Sequence, residues 1–490
     1  MTDELTPETP GEDEQPIKQR KNGLYPGVSD ELAKTMKSGW ADTELRDLEP
    51  VEQAPYAAER RAALSRRFPG ERLVIPAGNL KTRSNDTEYG FRAATEFVHL
   101  TGDQTDDSVL VLEPRAGGEG HDATLYRLPR SDRGNGEFWL DGMGELWVGR
   151  RHSLTEAAAL LGLPCADVRE LPEALRAASG PVRVVRGHDA GVEEALAGQI
   201  TAERDEELRE YLSEARLVKD AFEIGELQKA VDSTVRGFED VVKVLDKAEA
   251  TSERYIEGTF FLRARVEGND VGYGSICAAG PHATTLHWVR NNGQVRSGDL
   301  LLLDAGVETT SLYTADVTRT LPINGTYSDL QRKIYDAVYE AQEAGIAAVK
   351  PGAAFRDFHD AAQRVLAEKL VEWGLVEGPA DRVLELGLQR RWTLHGTGHM
   401  LGLDVHDCAA ARTETYVDGA LEPGMVLTVE PGLYFQADDL TVPEEYRGIG
   451  VRIEDDILVT EDGNRNLSAA LPRRADEVEA WMAELTGQRG

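Results

Sequence analysis

Apolar and polar residues are arranged differently in two stretches of this chain. Between residues 51 and 215, the runs RLVIPAG, SVLVLEP, EFWLD, ELWVGR and PVRVVRG are rich in β-branched or aromatic residues and bounded by turn residues. That pattern predicts strands. TEAAALLGL and LPEALRAASG fall between them and predict helices. Alternating strands and helices predict a mixed α/β domain. From about 203 to 250 the chain turns long, charged and helical, with Ile224, Leu227 and Val231 spaced along one face. A domain boundary is expected near Ala215–Arg216. Over 216–490 the runs LLLLDAG, YTADVTRTLP, GMVLTVEPGLY and GVRIEDDILVT predict strands. Amphipathic helices lie between them, one starting near Ser328 with Leu330, Ile334 and Val338 on a face, another within FRDFHDAAQRVLAEKLVEWG. Strands gathered together with helices behind them predict an α+β domain. Residues 1–50 stand apart. The first twenty are acidic, polar and Pro-containing, which predicts disorder. Ser29 or Asp30 then gives the cap signal for a short helical arm packed on the body.

Composition narrows the class. A chain of 490 residues suffices for two or three domains, and 41% hydrophobic with 29% charged residues fits a soluble globular protein. No apolar run approaches the roughly 20 residues that span a membrane. The opening MTDELTPETPGEDEQP lacks the apolar stretch of a secretory signal, so a cytoplasmic location is expected. The net charge of −33 disfavours nucleic acid and anionic membranes as partners. Cys165, Cys277 and Cys408 are odd in number and lack CxxC spacing, which argues against a disulfide framework. Cys408 lies two residues after His406 and is expected to act as a small buried hydrophobe.

The chemistry sits in five short motifs: Asp304 in LLLLDAG, Asp316 in TADVTRT, His399 in HGTGHMLG, Glu430 in TVEPGLY and Glu454 in VRIEDD. Four carboxylates and one imidazole form a hard, oxygen-rich set suited to Mn²⁺ or a similar divalent ion. Four carboxylates exceed what one ion needs, so a two-metal hydrolytic centre is the first hypothesis. Asp304 ends a four-leucine run, where a lone buried carboxylate is costly unless paired or metal-bound. A hairpin returning through VETTSLYT can set Asp316 beside it. His395, His399 and His406 fall within twelve residues, and Gly396, Gly398 and Gly402 argue against a helix there while permitting close backbone approach. Glu430 precedes the turn pair Pro431-Gly432. Strand alternation puts Arg452 and Asp456 on the face of Glu454, with Asp455 turned away. Arg452 can then orient a ligand carboxylate. His287, beside Trp288, is the remaining candidate.

In these surroundings the order Asp, Asp, His, Glu, Glu resembles the pita-bread metallopeptidases, which include methionine aminopeptidase, prolidase, aminopeptidase P and the metal-free creatinase. RSNDTEYGFRAATEFVHLTG and ELWVGRR resemble the N-terminal domain of aminopeptidase P, and ARLVKDAFEIGELQKA resembles the usual domain junction. The implied fold is a C-terminal pita-bread domain over 216–490, preceded by a creatinase-like α/β domain over 51–215. The resemblance implies that Asp304, Asp316, His399, Glu430 and Glu454 hold two divalent ions, with Mn²⁺ as the expected metal. It implies that His287, His395 and His406 bind substrate and stabilise the tetrahedral intermediate, that Glu430 also serves as general base and acid, and that Arg452 supports the ligands. The implied activity is release of the N-terminal residue from peptides with proline second, by a homo-oligomer, dimer or tetramer. The alternatives are a prolidase restricted to dipeptides and a non-catalytic pita-bread binding module.

Overall fold

Two compact units part between Asp205 and Glu206, inside the helix Ala202–Glu214 and ahead of the expected boundary. The computed structural model describes residues 28–117, 119–177 and 180–487. The predicted disorder of residues 1–20 lies outside the described residues.

In the first unit, Ser29 caps the helix Asp30–Met36, and that helix buries none of its residues. The arm is held further along, where the Leu45 N–H donates to Glu156 at 2.6 Å and the Trp40 ring meets Phe138. Glu156 also closes a capping box with Ser153 on the helix Leu154–Leu161. The central sheet runs Cys165–Asp167, His121–Arg127, Val109–Pro114, Arg72–Pro76, Val182–Val184, with both parallel and antiparallel pairs.

Two predicted strands of this unit are absent. Residues 137–141 of EFWLD form turns, and Glu145–Val148 of ELWVGR form a single helical turn. The chain doubles back so tightly there that a Cβ on Gly144 would lie 2.1 Å from the Glu137 carbonyl. Leu146, Trp147 and Val148 are all exposed, so the apolar run has no buried face to alternate with. Conversely, HDATLYR carries a weak pattern and becomes a strand by pairing with Val109–Pro114.

In the second unit, Asp220 closes a capping box on the helix Ala221–Val242, which buries Leu227 and Val231 and leaves Ile224 half-buried. Ser328 does the same for Asp329–Ala348, which buries Ile334 and Val338. Asp357–Glu372 is the second predicted helix. One sheet runs Val317–Pro322, Leu300–Ala305, Ile276–Ala279, and a second runs Val426–Val429, Asp455–Thr460, Gly463–Asn466. Gly432–Phe435 pairs with Ile449–Arg452. Period-two alternation divides the leucine strand. Leu301, Leu303 and Ala305 enter a core with Phe238, Val241, Ile334 and Val338, while Leu302 packs on the other side with Tyr434. Asp304 shares the face of Leu302, and so faces away from the helices.

Two of the predicted strands are interrupted at the residues that matter most. GMVLTVEPGLY breaks at Glu430-Pro431 and GVRIEDDILVT breaks at Ile453-Glu454. Proline cannot donate to a ladder, which ends pairing at the first break. At the second, the Glu454 N–H leaves its own sheet and donates to the Thr318 carbonyl at 3.1 Å.

Candidate metal centre

Antiparallel pairing sets Asp304 opposite Thr318, two residues past Asp316. One hydroxyl lies between the two aspartates: Tyr273 Oη is 2.6 Å from Asp304 Oδ1 and 2.5 Å from Asp316 Oδ1, with its single proton shared between the pair. Arg452 holds the other Asp304 oxygen at 2.5 Å and donates to the Tyr434 hydroxyl at 3.0 Å.

The glycine-rich loop is neither helix nor strand over its length, yet part of it pairs along the edge of Val426–Val429. Thr428 N–H donates to the His399 carbonyl at 2.9 Å and Glu430 N–H to the Thr397 carbonyl at 2.8 Å. This approach requires Gly398, where a Cβ would lie 1.9 Å from the Thr428 carbonyl oxygen. The pairing brings His399 Nε2 to 3.3 Å from Asp316 Oδ2 and 3.7 Å from Glu430 Oε1, while His395 Nδ1 is 3.7 Å from Glu430 Oε2. Thr318 donates to Glu454 Oε2 at 2.6 Å, so Glu454 completes the cluster. One ligand atom each from Asp316, His399 and Glu454 lies within 4.8 Å of the other two.

All five predicted ligands therefore meet. Arg452 and Asp456 do share the face of Glu454: Asp456 accepts the Asp316 N–H at 3.2 Å. Asp455 turns away to Arg319 at 2.8 Å and Gln342. His406 lies on the rim with its ring 4.3 Å from that of His399, and His395 is tied to the Tyr434 hydroxyl at 2.8 Å. His287 is exposed and has no side-chain hydrogen bond among the described residues. Behind His406, the buried Asp407 pairs with Arg216 at 2.9 Å, from the RLVK segment. The sequence motifs name neither Tyr273 nor Thr318 as part of the site. Alternation along TADVTRT puts Thr318 on the face of Asp316, but no local signal marks Tyr273.

Electrostatics favour a cation here. Burial pushes the Glu430 carboxyl up to about 7, against the pull of His399 and Arg452. Burial and the charges of Asp316, Glu430 and Asp304 raise Glu454 well above the carboxylate range. Burial raises Asp304 as well, with Arg452 opposing it. Burial opposes protonation of His399, but the Asp316 hydrogen bond and the charges of Asp316 and Glu430 carry its pKa to about 9. Burial, aided by the charge of Arg452, takes His395 down to about 4. Glu454 Oε1 and Asp456 Oδ1 are buried without a hydrogen-bond partner among the described residues. Crowded carboxylates with an orphaned oxygen fit hard divalent cations. Cys408 is buried with its thiol pushed up to about 12, as a packing residue requires.

Residues 225–461 match the model of metallopeptidase family M24, and residues 57–184 match that of the aminopeptidase P N-terminal domain. Xaa-Pro aminopeptidase 1 of Streptomyces coelicolor is 82% identical over 99% of this chain and 100% of its own. The Escherichia coli Xaa-Pro aminopeptidase is 33% identical over 88% of this chain and 98% of its own. Among solved structures, Pseudomonas aeruginosa aminopeptidase PepP superposes with a TM-score of 0.80 at 31% identity, covering 90% of this chain and all (100%) of that one. A zinc-substituted E. coli aminopeptidase P in complex with product gives 0.78 at 31% identity, covering 89% and 99%. With its carboxylate–histidine cluster on a pita-bread domain that follows an aminopeptidase P N-terminal domain in sequence, the chain belongs to the Xaa-Pro aminopeptidases of metallopeptidase family M24.

Proposed function

We propose that this chain releases the N-terminal residue from peptides with proline in second position at a centre of two divalent ions, with Mn²⁺ as the native metal. Asp304, Asp316, His399, Glu430 and Glu454 are the residues that hold them. The observation that carries the reading is the buried cluster in which ligand atoms of Asp316, His399 and Glu454 lie within 4.8 Å of one another, with Glu430 3.7 Å from His399 and Asp304 sharing the Tyr273 hydroxyl with Asp316. Bound ions supply Lewis acidity and a water acidified enough to react near neutral pH.

The residues then divide the remaining work. Glu430, within 3.7 Å of both His399 and His395, takes and returns protons as general base and acid. His406 and His287 on the rim bind the substrate, and His406 donates to the oxyanion as it forms. Arg452 and Tyr273 hold Asp304 in place. His395, held by the buried Tyr434 hydroxyl at 2.8 Å, is placed to meet the substrate beside Glu430. An X–Pro amide has no N–H, so a site selective for it cannot depend on that donor.

A cytoplasmic homo-oligomer, dimer or tetramer, is part of this reading. The exposed run Leu146, Trp147 and Val148, at 54%, 51% and 54%, supports self-association. Among the described residues no helix is long and apolar enough to cross a membrane. The net charge of −33 argues against nucleic acid as a partner.

The test is hydrolysis of Arg-Pro-Pro and of Arg-Pro, with Mn²⁺ and with EDTA. Metal-dependent release of Arg from the tripeptide is expected. Cleavage of the dipeptide alone would make the enzyme a prolidase, and cleavage of neither with metal bound would make it a binding module.

A further inference from the structure

A cavity of about 340 Å³ opens beside His395, lined among others by His359, Gln363, Gln389, Arg390 and Thr393. Its size is at the lower end for small-ligand pockets. Among the described residues no carboxylate lines it, in a chain of net charge −33.

Arg390 is exposed and makes no ion pair among the described residues. Its neighbours differ: Arg391 pairs with Asp439 at 2.8 Å, Arg382 with Glu385 at 2.7 Å and Arg364 with Asp381 at 2.8 Å. A second feature is buried. Gln389 is 5% exposed, and its Nε2 donates to Gln363 Oε1 at 3.3 Å, while Gln363 in turn donates to Thr393 at 3.2 Å. The Gln389 Oε1 atom is left without a partner. A buried acceptor is normally satisfied, so this wall is built to receive a donor. One side chain thus asks for an N–H and another for an anion, in a cavity that begins at His395, 3.7 Å from Glu430.

We infer that this cavity is the subsite for the leaving peptide beyond proline, with Arg390 binding a carboxylate there and Gln389 Oε1 accepting a peptide N–H. The inference rests on the aminopeptidase reading, in which the scissile bond lies at Glu430 and the residues beyond proline extend past His395. The carboxylate is either the C-terminus of a tripeptide or an acidic side chain at the third position.

Three substrates separate these sources: Arg-Pro-Ala, Arg-Pro-Asp-NH2 and Arg-Pro-Ala-NH2. In the wild type, one or both acidic peptides should exceed the neutral amide in kcat/KM by about tenfold, mainly through KM, as a charge-assisted contact implies. The favoured peptide names the source. The preference should weaken as salt rises. Arg390→Gln should bring the acidic peptides down to the amide and leave the amide within about twofold, while Arg390→Lys should keep part of the preference. Equal rates on all three substrates in the wild type would overturn the subsite, as would an equal loss on all three in Arg390→Gln. If the wild type cleaves none of them, the aminopeptidase reading fails and the subsite fails with it.

Discussion

Glu454 shows how much one oxygen can carry. Its Oε2 is held by Thr318 at 2.6 Å, while Oε1 is buried and unpartnered. Glu454→Gln keeps the shape and removes the charge. We expect this variant to fold, to bind less than the wild-type amount of Mn²⁺, and to lose more than about 100-fold in kcat/KM. Metal analysis of the purified protein alongside kinetics checks it, and wild-type metal content would remove Glu454 from the ligand set. The sequence offers Glu454 as a ligand through the VRIEDD motif and the family resemblance, and strand alternation separates Arg452 and Asp456 from Asp455. It does not mark Tyr273, because a tyrosine bridging two distant aspartates has no local pattern.

At the scale of elements, the site depends on strand ends and one pairing loop. Gly398→Ala puts a methyl 1.9 Å from the Thr428 carbonyl oxygen, which must separate the loop from the strand. The expected cost is about 1–3 kcal/mol of stability, with a larger proportional loss of activity because His399 and Glu430 are set by that pairing. Denaturant unfolding and kinetics on the same preparation measure both.

A second element-scale device is the Glu156 carboxylate in the first unit. Burial would raise its pKa, but Arg150 and the N–H groups of Leu45 and Ser153 bring it from 4.5 down to about 2. A carboxyl lowered on folding stabilises above its unfolded pKa, and that contribution is lost as pH falls through the folded value. The arm and the helix Leu154–Leu161 should therefore loosen between about pH 4.5 and 2. Glu156→Gln should loosen them already at pH 7 and flatten that dependence. Hydrogen exchange at Leu45 and Ser153 across this range reads the effect, and unchanged protection in the variant would refute it.

At the scale of the molecule, the second unit gathers four carboxyl groups from strand ends and strand breaks and holds them in its interior. Divalent ions relieve the repulsion between their ionised forms, so metal binding and folding are linked. Free metal at a hundred times its Kd adds about 2.7 kcal/mol to the metal-bound fold. EDTA should lower the melting temperature of the M24 unit, and excess Mn²⁺ should restore it. Calorimetry with and without chelator decides this, and an unchanged transition would mean the cluster holds no metal in solution.

The local sequence by itself determined the five candidate ligand motifs, the helix starting near Ser328, and the face-by-face alternation of the strands. Each depends only on near neighbours or on a two- or 3.6-residue period. The family also followed from local motifs, since HGTGHMLGLDVHD and VRIEDD carry their glycines and charges in fixed order. Only the tertiary structure decided that EFWLD and ELWVGR are turns and a helical turn. An apolar run adopts whichever backbone its partners pair with, and these runs have no strand beside them. Tertiary structure also decided that Glu430 and Glu454 lie in strand breaks, that Tyr273 joins Asp304 to Asp316, and that Arg390, without an ion pair among the described residues, stands beside a cavity. Such facts depend on contacts between residues far apart in the chain, which no window of sequence contains.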